Sequence, residues 1–313
     1  MTADPTSGAG RPAGRGLVMG VLNVTPDSFS DGGRWFAADA AIAHGRALIA
    51  EGADVIDVGG ESTRPGATPV GEDEELRRVI PVVEALAPEV RVSIDTRHAA
   101  VARAAVRAGA TLINDVSASL HEVAAETGAG WVAMHMRGEP ATMQSDVRYP
   151  DDDVVGAVCA FLDGRATAAV AAGVAEVWVD PGIGFGKTRA HNLTLLRHLD
   201  ALVALGHPVL VGTSRKSFLG ALTARSDATA AARDARGRAP ANPDPAAPTG
   251  AEALPPAPVD DRLEASVATA TWAFALGARM VRAHDVVATV HAAKVVGPAP
   301  VAVPTPDRTP VEG

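Results

Sequence analysis

The stretch "GVLNVTPDSFSDGG", Gly20 to Gly33, begins as a buried strand and then stops being one: Asn23 puts an amide among Val21, Leu22 and Val24, and Asp27 and Asp31 follow in the turn. The same pattern recurs along the chain. Short apolar runs end at Asp57 (followed by Glu61 to Arg64), Asp95, Asn114 with Asp115, His135, Asp180, Lys216, and Arg282 with His284 and Asp285. Asp95, Asn114 and Asp180 supply acceptors and a primary amide, which suit the edge of an aromatic heterocycle that presents N–H donors beside an acceptor. A carboxylate in a dry pocket takes two parallel hydrogen bonds from a guanidine-like edge, a strong and directional contact. Lys216, Arg282, His284 and Arg64 are donors suited to phosphate oxygens or a ring carbonyl. Together they describe a ligand with a heteroaromatic head and an anionic tail. Asp57, Glu61, Asp115 and Asp285 read more readily as groups that orient backbone or neighbouring side chains.

Those residues need elements to hold them. Strands are predicted over Leu17–Val24, Asp54–Gly59, Val90–Asp95, Thr111–Val116, Gly130–His135, Glu176–Asp180, Pro208–Gly212 and Arg279–Ala283. Between them, segments such as "AADAAIAHGRALIAEG" and "HNLTLLRHLDALVALG" repeat their apolar residues at helical spacing, with Leu195, Leu199 and Leu202 on one face. Gly52, Gly109, Gly173, Gly206 and Gly277 fall where helices end, the position at which a left-handed backbone is cheapest for glycine. Strand–helix alternation of this kind builds a parallel sheet. Eight such units in about 250 residues are what a (β/α)8 barrel requires, and its site would lie at the carboxyl ends of the strands. An open doubly wound sheet is the alternative, although "NVTPDSFSDGG" stands where a dinucleotide fold carries G-x-G-x-x-G. "PGIGFGKT" is not a P-loop, because proline occupies the first glycine position, and no histidine pair has zinc-ligand spacing.

Composition narrows the class. Against 28 Lys+Arg stand 37 Asp+Glu, a net charge of -9, so there is no positive footprint for nucleic acid or an anionic membrane. No uninterrupted apolar stretch reaches membrane-spanning length, the first residues contain no secretory signal, and the lone Cys159 forms no intrachain disulfide. A cytoplasmic enzyme is expected. Residues 1–16 and 297–313 read as flexible ends around a single domain over 17–296. Within it, the Ala/Pro-rich segment 224–260 has almost no large apolar residues to offset its ordering entropy, and it predicts a disordered insert between the seventh strand and its helix.

As a set, these blocks resemble the dihydropteroate synthase family of folate biosynthesis: "MGVLNVTPDSFSDGG" at 19–33, "DVGGESTRPGA" at 57–67, "SIDT" at 93–96, "INDVSA" at 113–118, "MHMRGEPATMQ" at 134–144, "VDPGIGFGKT" at 179–188, "GTSRKSFLG" at 212–220 and "VRAHDV" at 281–286. The resemblance implies a TIM barrel that joins p-aminobenzoate to 6-hydroxymethyl-7,8-dihydropterin diphosphate, releasing pyrophosphate and 7,8-dihydropteroate. It implies a pterin pocket of Asp95, Asn114, Met134, Asp180, Phe185 and Lys216. It implies diphosphate ligands Asn23, Thr63, Arg64, Arg282 and His284, with Mg2+ bridging Asn23 to phosphate oxygens. The aminobenzoate would lie among Phe29, Pro65, Phe185, Lys216 and Ser217, and Asp31 on a closing loop would shield an electron-poor methylene. Asn23, Asp31, Arg64, Lys216, Arg282 and His284 would carry an SN1-like reaction without a covalent enzyme intermediate. The resemblance further implies a homodimer, for which "TATWAFALGA" and "VVATVHAAKVVG" offer apolar helices, and inhibition by sulfonamides. One departure is "NDVSASLHE", where the family commonly continues "NDVS" with Gly-Gly; the segment 224–260 is another. The rival readings are a methyltetrahydrofolate-dependent methyltransferase barrel, which should lack diphosphate ligands, and a non-catalytic pterin-binding paralogue.

Overall fold

Val, Ile and Leu dominate the short runs, and residues of that kind fit a sheet buried on both faces. The computed structural model describes residues 14–25, 34–61, 70–138, 143, 147–224, 257–258 and 261–298, with the side chains of 34–37 and 151 excepted. Its eight strands are β1 (Leu17–Asn23), β2 (Val55–Gly59), β3 (Arg91–Asp95), β4 (Leu112–Asp115), β5 (Gly130–Met134), β6 (Val177–Asp180), β7 (Leu210–Val211) and β8 (Met280–Ala283). All named pairings are parallel, in the order β6-β5-β4-β3-β2-β1-β8-β7. A bridge between Val179 and Val209 joins the two ends of that order, so the sheet closes and the open alternative falls away.

Helices cover the outside: α1 (Arg34–Ala50), α2 (Glu72–Leu86), α3 (Ala99–Arg107), α4 (His121–Thr127), α5 (Val154–Ala171), α6 (Arg189–Arg197), α7 (Leu199–Val203), α8 (217–224), α9 (Leu263–Ala275) and α10 (Val286–Val296). The stretch expected to form one helix after β6 is two, because the chain turns out of helical geometry at His198 (φ -109°, ψ 34°). Leu195, Leu199 and Leu202 are nevertheless all buried. The Ala/Pro-rich segment follows α8 and precedes α9, so a helix stands between it and β7; apart from Ala224, Ala257 and Pro258, residues 224–260 lie outside the described residues. All five glycines expected at helix ends have positive φ, between 82° and 115°. α5 is long and apolar enough by composition to cross a membrane, but Val154, Val158, Leu162, Ala166 and Ala169 along it are buried in the domain core.

Two cores result. Leu17, Met19, Val55, Leu112, Val132, Trp178, Leu210 and Met280 form one cluster from seven strands, and a larger cluster packs the other strand faces against the helices. Each fully buried side chain of this kind contributes roughly 1.5–3 kcal/mol. One turn further along the strands, the inward alternation brings polar residues instead, above an apolar floor.

Candidate active site

Parallel register aligns the strand ends. Asn23 pairs with Gly59, Gly59 with Asp95, and Asp95 with Asn114, so three of the expected site residues lie on one continuous row across β1 to β4. Met134 pairs with Asp180 across β5 and β6, and Arg282 stands on β8 beside Met19. The ends of different strands thus converge on the mouth of one barrel.

Arg282 ties this mouth together. Its Nε donates to Asp57 Oδ2 at 2.6 Å and its Nη2 to Asp95 Oδ2 at 2.8 Å. The same Asp57 oxygen accepts from Asn114 Nδ2 at 3.0 Å. Asp57 is fully buried, and the side chains of Asp95 and Arg282 are 11% and 23% exposed. Burial pushes the Asp95 carboxyl up to about 7 against the pull of Arg282, with Asp57 adding to the rise. Burial also opposes the charge on Arg282, but Asp57 and Asp95 outweigh it and hold the guanidinium above its ordinary value. A carboxylic group poised near neutrality beside a permanent cation can accept N–H donors when ionised and stay neutral when empty.

Across the mouth, Asp180 accepts from the Gly182 N–H at 2.7 Å, and burial raises its carboxyl above the ordinary range despite Lys216 and that N–H. Lys216 Nζ donates to the Ile183 carbonyl and lies 4.4 Å from the centre of the Phe185 ring. Burial lowers Lys216 to about 8, with Asp180 resisting the fall. Met134 is buried at the end of β5. His284 Nδ1 stands 3.0 Å from Ser214 Oγ, which also accepts the His284 N–H at 3.1 Å. Ser217 is exposed at the first turn of α8.

The loop between β6 and α6 depends on its glycines. Gly182, at φ 62°, leaves no room for a side chain: a Cβ would come within 1.9 Å of the His135 carbonyl oxygen. Gly186, at φ 60°, meets the Arg137 carbonyl oxygen in the same way at 2.2 Å. Lys187 fastens this contact, its buried Nζ donating to the carbonyls of His135 (3.1 Å) and Phe185 (3.0 Å) and lying 2.9 Å from His135 Nδ1. Burial lowers Lys187 to about 7; burial, then Lys187, holds His135 down to about 3, which keeps that imidazole neutral. Asn192 Oδ1 accepts the Gly184 N–H at 2.8 Å. The alternating glycines therefore let two loops interlock and set Phe185 over Lys216.

For a metal, the donor set is informative. Among the described residues no group of three His, Cys, Asp or Glu is placed to hold an ion. Asn23 offers one hard oxygen at the strand end, and its side chain has no hydrogen-bond partner among the described residues. This fits a hard cation that takes most of its ligands from phosphate and water, as Mg2+ does.

With the geometry in place, comparison with known proteins decides the family. The family described as pterin binding enzyme matches residues 19–284. The dihydropteroate synthase of Mycobacterium leprae is 44% identical over 291 residues, covering 90% of this chain and 92% of the relative. The chain belongs to the dihydropteroate synthase family. Solved members superpose on it: the Yersinia pestis dihydropteroate synthase in a sulfonamide drug complex has a TM-score of 0.74 at 42% identity, covering 90% of this chain and 93% of that one. The Xanthomonas albilineans dihydropteroate synthase with 4-aminobenzoic acid has a TM-score of 0.72 at 43% identity, covering 90% and 92%.

Viewed as a dihydropteroate synthase, the chain separates its acids by role. Asp115 is structural: its oxygens accept from the N–H groups of Ser117, Ser119 and Leu120 and from Trp131 Nε1. It stabilises the turn in which Ala118 stands at φ 50°, a strain of roughly 1–2 kcal/mol. Glu61 binds Arg97 at 3.0 Å and the Val70 N–H, and Asp285 binds Arg215 at 2.5 Å. Asp57, read as a group that orients its neighbours, bonds to two site residues, Arg282 and Asn114. Lys187 and Asn192 escaped sequence reasoning; a lysine inside a glycine-rich run was the available signal. Phe29, Asp31, Thr63, Arg64 and Pro65 lie outside the described residues.

Proposed function

We propose that this chain acts as a dihydropteroate synthase, condensing 6-hydroxymethyl-7,8-dihydropterin diphosphate with p-aminobenzoate by an SN1-like displacement. The observation that carries the reading is the pairing of ring-binding acceptors with diphosphate-binding cations at one barrel mouth. Asp180, Asn114 and Asp95 take the N–H edge of the pterin, Lys216 donates to its acceptors, and Met134 and Phe185 wall its faces. Arg282 and His284, with Asn23, Thr63 and Arg64, grip the diphosphate. Asn23 would hold Mg2+, which would supply further charge neutralisation to the leaving group.

The bond that breaks joins the pterin methylene to the diphosphate oxygen. Arg282 and His284 stabilise the charge that develops on the departing oxygen, an electrostatic role that costs no reorganisation when donors are already aimed. The ionised Asp95 and Asp180 favour the electron-poor pterin, and Asp31 shields it from water. The neutral arylamine then attacks the methylene from a site lined by Phe29, Pro65, Phe185, Lys216 and Ser217. Its carboxylate lies near the free N–H groups that open α8. The arylamine is nucleophilic without a base, so no covalent enzyme intermediate forms.

The same reading includes a cytoplasmic homodimer. Leu263 and Trp272 on α9 and Val287 and Val295 on α10 are exposed large apolar residues on neighbouring helices, as a self-complementary interface requires. A coupled pyrophosphate-release assay tests the activity: release that needs both substrates and yields dihydropteroate supports it. Release without the arylamine, or none, contradicts it.

A further inference from the structure

Resting on the synthase reading, we propose that Asp57 is a positioning residue whose single oxygen Oδ2 sets both halves of the substrate cradle: Arg282 for the diphosphate and Asn114 for the pterin ring. The geometry is specific. Arg282 Nε reaches Oδ2 at 2.6 Å and Asn114 Nδ2 reaches it at 3.0 Å, from strands on opposite sides of β2 in the sheet order. With one N–H committed to Asp57, Asn114 keeps its carbonyl oxygen and second N–H for a ligand; Arg282 likewise keeps donors beyond Nε.

A second observation argues that stability alone does not explain the residue. Asp57 is fully buried, yet its Oδ1 has no hydrogen-bond partner among the described residues. An orphaned buried carboxylate oxygen destabilises a fold, and replacing a buried ion pair by apolar residues is often neutral or stabilising. Here both donors crowd one oxygen, which couples them: displacing Arg282 alters the acceptor that Asn114 uses. Asp57 touches no substrate in this account; it acts through the two residues that do.

The near-isosteric Asp57→Asn variant tests the idea in two ways. The first is independent of activity: in nitrogen-15 spectra of the free protein, the Arg282 Nε–H and Asn114 side-chain amide signals should be slow to exchange in the parent and both lost or broadened in the variant. The second is kinetic. Asp57→Asn should lower kcat/KM for the pterin diphosphate about a hundredfold, with both kcat and KM affected, whereas in an Arg282→Ala or Asn114→Ala background it should cost no more than about threefold. Unchanged side-chain signals, or penalties that multiply fully in both backgrounds, overturn the proposal; so does a variant that melts lower but keeps parental kcat/KM. Should the parent make no dihydropteroate, the synthase reading fails, and the spectra with calorimetric pterin binding still decide whether Asp57 positions its partners. If Asp57→Asn does not fold, Asp57→Ser carries the same measurements.

Discussion

Replacing Arg282 with Met keeps length and removes charge, which leaves two carboxylates facing each other at the barrel mouth. Removing one partner of a buried ion pair costs about 3–5 kcal/mol. Asp57 is fully buried and Asp95 nearly so, so solvent screens neither strongly. Asp95, however, stands at about 7 even with the guanidinium present, and it escapes by taking up a proton. The lower end of the range, about 3 kcal/mol, is therefore expected near pH 8. The pH dependence follows from linkage. In the parent, the folded value of Asp95, about 7, lies above its ordinary 3.8, so the native state holds the extra proton between them. Stability then falls as pH rises through that window and levels off above about 7. Without Arg282, Asp95 is pushed higher still, and the variant goes on losing about 1.4 kcal/mol per pH unit after the parent has stopped. Urea unfolding followed by circular dichroism should thus show a gap between parent and variant that is about 1.4 kcal/mol larger near pH 8 than near pH 6. A gap under about 1 kcal/mol, or one that ignores pH, refutes the buried triad.

Other outcomes follow from the same geometry. Gly182→Ala should lose well over 2 kcal/mol of stability and its pterin affinity, because the new Cβ lies 1.9 Å from the His135 oxygen; Gly206→Ala, with nothing within 4 Å, should cost only about 1 kcal/mol in a thermal melt. The profile of kcat/KM against pH should be a narrow bell, rising as Asp95 deprotonates near 7 and falling as Lys216 loses its proton near 8, and a flat profile across that range argues against both roles. Asn23→Ala should raise the Mg2+ concentration for half-maximal turnover about tenfold, equivalent to roughly 1.4 kcal/mol, while binding of pterin lacking the diphosphate stays as in the parent. Equal loss in both measurements would mean that Asn23 serves the ring and not the metal.

Much of this architecture is legible in the residues. Strand positions follow from runs such as "VIDVGG", and because side chains alternate across a strand, an inward residue near its carboxyl end has to face the barrel mouth. That is why Asn23, Asp95 and Asn114 are found in one row. Partners across the barrel are not legible: Arg282 meets Asp57 and Asp95 across 225 and 187 residues, and no local pattern encodes which carboxylate a cation chooses. Asp57 is accordingly legible as an orienting group, but which side chains it orients is not. Lys187 was passed over because its three acceptors include the backbone carbonyls of His135 and Phe185, which sequence does not display. The break at His198 has a similar origin, since the apolar spacing of Leu195, Leu199 and Leu202 continues through it.

The most direct measurement is a crystal structure of the protein soaked with Mg2+ and the dihydropterin diphosphate. The expected result has the ring's N–H edge within hydrogen-bond distance of Asp180 and Asn114 and its acceptors on Lys216. Arg282 should have exchanged Asp95 for a diphosphate oxygen while keeping Asp57. A ring bound away from Asp180 and Asn114, or a diphosphate that Arg282 and His284 do not touch, would contradict the account.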